Sequence, residues 1–242
     1  MRKFLLSVLL LGWLSYGQAA YLIYDFAGNG EAGFTGDDGL ATKAELNTTR
    51  GLAIDKAGNV FFADVENRKV RRVDIRTGII TTVAGCRKQN NVCERWRNNA
   101  VRQYKAIETQ LSTPIDVAID KGDNLYILDH SDSRVYKVDS EGYIFPIVNR
   151  NGDHGYFGDN GLAIDASIDP NFGGIAFDKD DNLYIADRAN HRIRKVAAKT
   201  EIITTVAGTG EAGYETNKKA IEAKLNLPED VLVGCWQWRS RV

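Results

Sequence analysis

Three stretches of this chain are variants of one another, and that repetition limits the fold more tightly than any single motif. The first reads RGLAIDKAGNVFFADVENRKVRRVDIRTGIITTVAG, from Arg50 to Gly85. The second, PIDVAIDKGDNLYILDHSDSRVYKVDSEGYIFPIV, runs from Pro114 to Val148. The third, FGGIAFDKDDNLYIADRANHRIRKVAAKTEIITTVAG, runs from Phe172 to Gly208. Asp55, Asp120 and Asp178 mark equivalent points, 65 and then 58 residues apart. Each unit opens with a short apolar run (LAID, VAID, IAFD), passes a polar turn (KAGN, KGDN, KDDN) and continues in strong β-formers at 60–63, 125–128 or 183–186. An alternating strand follows, as at 70–73 or 193–196, and then a fourth at 79–83 or 202–206. Alternation between turn residues predicts four antiparallel strands per repeat. One such sheet cannot bury both faces alone, so repeated sheets must pack face to face. The expected fold is all-β, a β-propeller of four-stranded antiparallel blades, which leaves only short edges.

The strings NLYIAD-x-x-N-x-R-I-R-K-V, Asn182 to Val196, and GIITTVAG, Gly78 to Gly85, resemble NHL repeats. The connection G-x-G-x-x-G-[FY]-x-G-D-x-G-x-A is similar to that in the NHL domain of teneurins and of many bacterial secreted proteins. The resemblance covers nearly all of the chain after its leader and implies a ring of roughly six blades. It places blades at about 50–85, 113–148 and 172–208, with a partial fourth at 227–233. YLIYDFAG, Tyr21 to Gly28, lines up with GIITTVAG as a lone fourth strand, which in the family completes the last blade. After Val233 the family's turn and NLYIAD give way to GCWQWRSRV, so 234–242 reads as an atypical tail. Two explanations stay open: a truncated or frameshifted product, and a short C-terminus on an open stack of blades.

The leader is a secretory signal peptide over residues 1–19. Arg2 and Lys3 precede an apolar core, Phe4 to Leu14, and Gly17-Gln18-Ala19 puts small residues at the −3 and −1 positions of a cleavage site. An uncleaved anchor is the alternative, although the core is short for a bilayer. No later segment is apolar enough to span. Taking Arg2 and Lys3 from 31 Lys+Arg leaves 29 against 32 Asp+Glu, so no basic excess supports a nucleic-acid role. Export to the periplasm, cell surface or medium brings an oxidising environment. There Cys86 and Cys93, in one polar loop, are a disulfide candidate, while Cys235 has no evident partner.

Gly28-x-Gly30-x-x-Gly33 imitates a dinucleotide-binding turn, but the glycines at 33, 36 and 39 oppose the helix that such a turn requires. The same pattern recurs at 208–214 and, shifted, at 151–161, which makes it a connector between sheets. Asp37, Asp38, Asp159 and Asn160 in these connectors are candidates for Ca²⁺, against a role in bracing the turn. Asp178-x-Asp180-x-Asn182 copies the start of an EF-hand loop, but the sixth and twelfth positions are Leu183 and Ala189, so turn capping accounts for it. Asp64, Asp129 and Asp187 recur after each second strand, with Arg68, Arg134 and Arg192 further on, which predicts a repeated structural Asp–Arg or Asp–backbone contact tying one turn to the next strand. His130, His154 and His191 do not share a repeat position and read as loop histidines.

The insertion from Cys86 to Gln110 is locally basic. Arg87, Lys88, Arg95, Trp96 and Arg97 make it a candidate partner surface or a solvated insertion. The resulting expectation is an exported, non-catalytic module binding a protein or extracellular ligand, with no cofactor beyond the Ca²⁺ candidate. The alternatives are a metal-dependent propeller lyase or lactonase, and a non-functional fragment of a longer propeller.

Overall fold

The polar turns inside the repeats are closed by a staple between residues four apart. The Oδ1 atoms of Asp55, Asp120 and Asp178 accept the backbone N–H of Asn59, Asn124 and Asn182 at 2.8, 2.9 and 2.9 Å. Each Asn side chain donates back to the other carboxylate oxygen at 2.7 to 2.8 Å. Asx side chains stabilise such turns by satisfying backbone donors locally. The acid–amide pairs of KAGN, KGDN and KDDN are therefore turn chemistry.

The computed structural model describes residues 6–7, 22–86, 93–96 and 103–234. Strand β1 (Leu6–Ser7) pairs antiparallel with β2 (Asp25–Ala27). The first blade is β3 (Thr49–Ile54), β4 (Val60–Asp64), β5 (Lys69–Val73) and β6 (Ile80–Ala84), hydrogen-bonded in that order. Within the insertion, β7 (Glu94–Arg95) pairs parallel with β9 (Thr109–Gln110), and β8 (Tyr104–Lys105) becomes a fifth strand of the second blade. The rest of that blade is β10 (Pro114–Ile119), β11 (Leu125–Asp129), β12 (Arg134–Val138) and β13 (Tyr143–Val148). The third blade is β14 (Ile175–Phe177), β15 (Leu183–Asp187), β16 (Arg192–Val196) and β17 (Ile203–Ala207).

The blades pack face to face, and the innermost strands β3 and β14 each adjoin β10, so that the three line one central channel. One apolar cluster joins Val70 and Ala84 of the first blade to Val117, Leu125 and Ile127 of the second. Another joins Leu128, Val135 and Val148 of the second to Ile175, Ile185 and Ile203 of the third. A third packs Ala27, Ala41 and Leu46 against Phe62 and Ile80. Leu227–Val233, expected to open a fourth repeat, forms no strand. Its backbone donors are taken elsewhere: Leu227 N–H by His191 Nδ1 at 3.1 Å, and Val231 N–H by Asp230 Oδ1 at 2.7 Å.

Polar bonds join the sheets at both ends. At one end, the N–H groups of Lys56 and Lys121 donate to Asp123 and Asp181 of the following blade, each at 3.1 Å. At the other, the N–H groups of Gly28, Gly85, Asn149 and Gly208 donate to the carbonyls of Ala41, Ala106, Ala163 and Ala220 at 2.9 to 3.0 Å. Each of those alanines opens a short 3-10 turn in a connector.

The side chains at the centre of two blades are arginines. Arg71 is fully buried, 3.2 Å from Asp64 of its own blade and 3.0 Å from Asp37 of the connector. Arg194 repeats this with Asp187 at 3.3 Å and Asp159 at 2.7 Å. Asn67 and Asn190 each bond the same acid and a connector carbonyl, of Gly33 or Gly155. The partners expected at Arg68 and Arg192 are thus replaced by arginines three and two positions further along. Arg68 is a left-handed turn residue, and Arg192 points to the carbonyls of Asn190 and Thr209. The reason is depth along the sheet: Arg71 and Arg194 lie opposite Phe62 and Ile185, two residues further in than the pairs Asp64–Lys69 and Asp187–Arg192 and on the same face, so their side chains are the ones enclosed by the blade.

The second blade has Tyr136 at this position, opposite Ile127. Its hydroxyl donates to Asp132 at 2.9 Å. Asp129 has no arginine there and accepts the N–H groups of Ser112, Thr113 and Asp132 at 2.8, 2.9 and 3.2 Å. Burial, and then the neighbouring charge of Asp132, push its carboxyl upward. Among the described residues, no helix is long and apolar enough to cross a membrane.

Arg194→Ala strands Asp187 as a buried carboxylate without its cation, so denaturant unfolding should show a loss of about 3–5 kcal/mol. Adding Asp187→Asn to that variant should recover part of the loss. Tyr136→Phe, which removes one neutral donor from a carboxylate, should cost only about 1–2 kcal/mol.

Candidate functional site

Most polar side chains of the repeats are engaged in holding turns and blades together. Asp37 and Asp159 direct carboxylate oxygens at Arg71 and Arg194. Asp38 and Asn160 occupy left-handed turn positions, φ 65° and 66°, and their N–H groups donate to Ile80 and Ile203 at 2.8 Å. Among the described residues, no group of three or more His, Cys, Asp or Glu side chains is placed to hold a metal ion. Cys86 and Cys93 are bonded to each other, with Cα atoms 5.7 Å apart.

Arg87, Lys88 and Arg97 lie outside the described residues, and Arg95 lies on β7. Trp96, expected to be exposed, is half-buried. It meets Tyr104 in a tilted ring contact, ring centres 5.2 Å apart, and packs against the core between the first two blades. The cause is β8, which brings Tyr104 onto the outer edge of β13 and gives the indole an apolar surface to cover.

The axial channel departs from the repeat pattern at one position. Gly51, Asp116, Gly174 and Asp230 are equivalent in their units (RGLAID, IDVAID, GGIAFD, EDVLVG), so glycine alternates with aspartate around the channel. The glycines are required by close approach. A Cβ on Gly51 would stand 2.3 Å from Asp116 Oδ1, and one on Gly174 would stand 2.1 Å from Asp230 Oδ1. Asp116 crosses to the third blade and accepts the N–H of Ile175 at 2.7 Å, besides that of Val117 at 2.9 Å. Burial pushes its carboxyl up to about 7; the two N–H groups act against this, and the charge of Asp230 adds to it. Gly51, Asp116 and Asp230, with Leu52, Ile54, Ile119 and Leu232, line a cavity of about 350 Å³.

The mouth of the channel gathers side chains from all three blades around Phe172. Asn171 and Phe172 both have positive φ, 34° and 67°. A non-glycine residue held there costs on the order of 1–3 kcal/mol, and such residues cluster at ligand clamps. Phe172 is 40% exposed as a residue. The guanidinium of Arg50, from the first blade, stands 4.8 Å from the ring centre. His130, from the second, stacks at 4.6 Å. Arg188, at the repeat position of His130, donates to the Asn171 carbonyl at 3.3 Å and lies 3.6 Å from Glu229.

Beside this group, Ser133 Oγ is 2.8 Å from His154 Nδ1, and Asp169 is 3.8 Å from the same nitrogen. A serine–histidine–aspartate relay needs the two ring nitrogens divided between its partners, and Ser133 is fully buried. The contact therefore orders a loop. A larger hollow, about 460 Å³, opens between the second and third blades near the stapled turns, over Tyr126, Phe145 and Phe177. Its Lys137 lies 3.8 Å from Asp120.

Sequence reasoning missed Phe172, Arg50, Arg188 and Asp116. Only the replacement of glycine by Asp116 left a visible signal.

A carboxyl raised in the fold favours the protonated form there, while the unfolded chain ionises from about pH 3.9. The contribution of Asp116 to stability should be full below pH 4 and be lost as pH rises towards 7. Asp116→Asn, which keeps an acceptor for Ile175 N–H, should flatten that part of a melting-temperature profile taken from pH 4 to pH 8.

Residues 28–95 match the family model described as the teneurin NHL domain, and residues 173–196 match the NHL repeat. Teneurin-4 of Mus musculus is 31% identical over 224 residues, covering 82% of this chain and 8% of the relative. NHL repeat-containing protein 2 of Homo sapiens is 31% identical over 170 residues, covering 68% of this chain and 22% of the relative. The chain thus spans a small part of these relatives' lengths. Among solved structures, a protein of unknown function from Bacteroides thetaiotaomicron aligns with TM-score 0.58 and 21% identity, over 76% of this chain and 42% of that one. An auxiliary nutrient binding protein from Bacteroides ovatus aligns with TM-score 0.56 and 17% identity, over 79% and 45%. The repeats, the blade sheets and these matches agree: the chain belongs to the NHL-repeat family of β-propellers, with a teneurin-type NHL domain over its first blade.

Proposed function

We propose that this protein is an exported NHL-repeat module that binds a ligand or partner protein at the channel mouth without transforming it. One observation carries the reading. The repeated acids, amides and buried arginines hold turns and blades together, whereas the strained, half-exposed Phe172 and the Arg50 and His130 side chains against it sit outside those repeated contacts. Propeller loops around a channel are a common place for a site on a rigid scaffold.

Export rests on the leader at residues 1–19 and on the Cys86–Cys93 bond, which persists in oxidising compartments. Mass spectrometry of the protein secreted by its source cells should find a mature N-terminus at Ala20 and a non-reduced peptide linking Cys86 to Cys93. A retained leader or two free thiols would count against export.

The binding reading is tested by thermal shift with a panel of neutral sugars, sugar acids and amino acids. At least one compound should raise the melting temperature of the parent and be recovered unaltered, while Phe172→Gly, which keeps the backbone conformation accessible, should not respond. An equal response by Phe172→Gly would move the site away from the mouth. Turnover of the compound, or a stoichiometric metal by elemental analysis, would favour an enzyme.

A further inference from the structure

The chemistry at the mouth selects among ligands, and this step rests on the binding reading above. Arg50 is exposed, and its guanidinium forms no salt bridge among the described residues; its recorded contact is with the Phe172 ring. Two nitrogens at one repeat position, His130 Nδ1 and Arg188 Nε, are buried without a hydrogen-bond partner among the described residues. An unsatisfied buried donor such as Arg188 Nε costs about 1–3 kcal/mol, and the His130 and Arg188 side chains both contact the Asn171–Phe172 turn, so this turn carries hydrogen-bonding capacity that its own neighbours do not use.

The chain itself indicates what completes it. Glu229, with its side chain 80% exposed, holds a carboxylate 3.6 Å from the Arg188 guanidinium. That is longer than the roughly 2.7–2.9 Å of a good charge-assisted hydrogen bond, so the contact is loose and displaceable.

We propose that the mouth binds a small, singly charged organic carboxylate whose apolar part rests against the exposed portion of Phe172 and whose carboxylate is held by Arg50 and Arg188, with His130 alongside. Arginine forks match carboxylate geometry, and an exposed aromatic ring suits the C–H face of a sugar acid. A single charge is preferred because Glu229, Asp230 and Asp116 lie at or below the mouth and oppose a dianion.

The probes are D-galacturonate, its neutral counterpart D-galactose, and inorganic phosphate. Each is titrated into the purified chain by calorimetry, with the His130 ring protons followed by NMR. Galacturonate should move the His130 signals and bind at least tenfold more tightly than galactose or phosphate. Arg50→Ala should weaken it tenfold or more, with Arg50→Lys intermediate. Glu229→Gln should tighten it, because the internal competitor is gone; a merely structural role for these residues would not produce that gain.

The inference is overturned if galactose or phosphate binds as well as galacturonate, or if Arg50→Ala and Glu229→Gln leave its affinity unchanged. It is equally overturned if galacturonate leaves the His130 signals unmoved. Galactose binding that Phe172→Gly abolishes would leave the general binding reading standing while removing the charge requirement. Failure of the whole panel would remove both.

Discussion

A guanidinium held between two carboxylates in a dry interior is the interaction on which the rest of this propeller depends. Arg71 and Arg194 each bind one aspartate from their own blade and one from the connector leading into it. The connector buries a few apolar side chains, Ala41, Ala44 and Leu46 in one copy and Ala163, Ala166 and Ile168 in the other, and the ion pair ties down its glycine-rich part. An ion pair excluded from water supplies the geometry, and the asparagines beside it bind the same acid and a connector carbonyl. Burial pushes the acids Asp64 and Asp187 upward, and the asparagines, backbone donors and arginines oppose this. Such a constellation is costly to break, whatever its net contribution to stability.

The second blade shows what happens when one component changes. The connector before it lacks the Gly-Asp motif and carries the disulfide insertion instead. Its third strand has Tyr136 in place of arginine, Asp129 is satisfied by backbone N–H groups, and Trp96 and Tyr104 fill space with aromatic surface. Connector and blade therefore vary together. The insertion is an alternative way of securing a sheet, and its tryptophan belongs to the packing.

These arrangements were legible in the chain to different degrees. The stapled turns could be read because Asp55 and Asn59, and their copies, meet through bonds spanning four residues. The family resemblance likewise rested on local strings. The expected Asp–backbone contact forms at Asp129 and the expected Asp–Arg contact forms with Arg71 and Arg194 in place of Arg68 and Arg192, since choosing the arginine requires knowing how far into β5 and β16 the enclosed position lies. The pattern D-x-x-N-x-[KR]-x-R, present in the first and third units and absent from the second, was the available clue.

By itself the sequence determined the repeat, its four strands, its turns and the stacking of sheets, because alternation and short-range hydrogen bonding are local properties. Tertiary structure alone decided the channel mouth. Arg50, His130, Phe172 and Arg188 come from three blades, and no spacing along the chain relates them. They meet because the inner strands converge on one axis and because a strained backbone at Asn171–Phe172 turns the ring towards it.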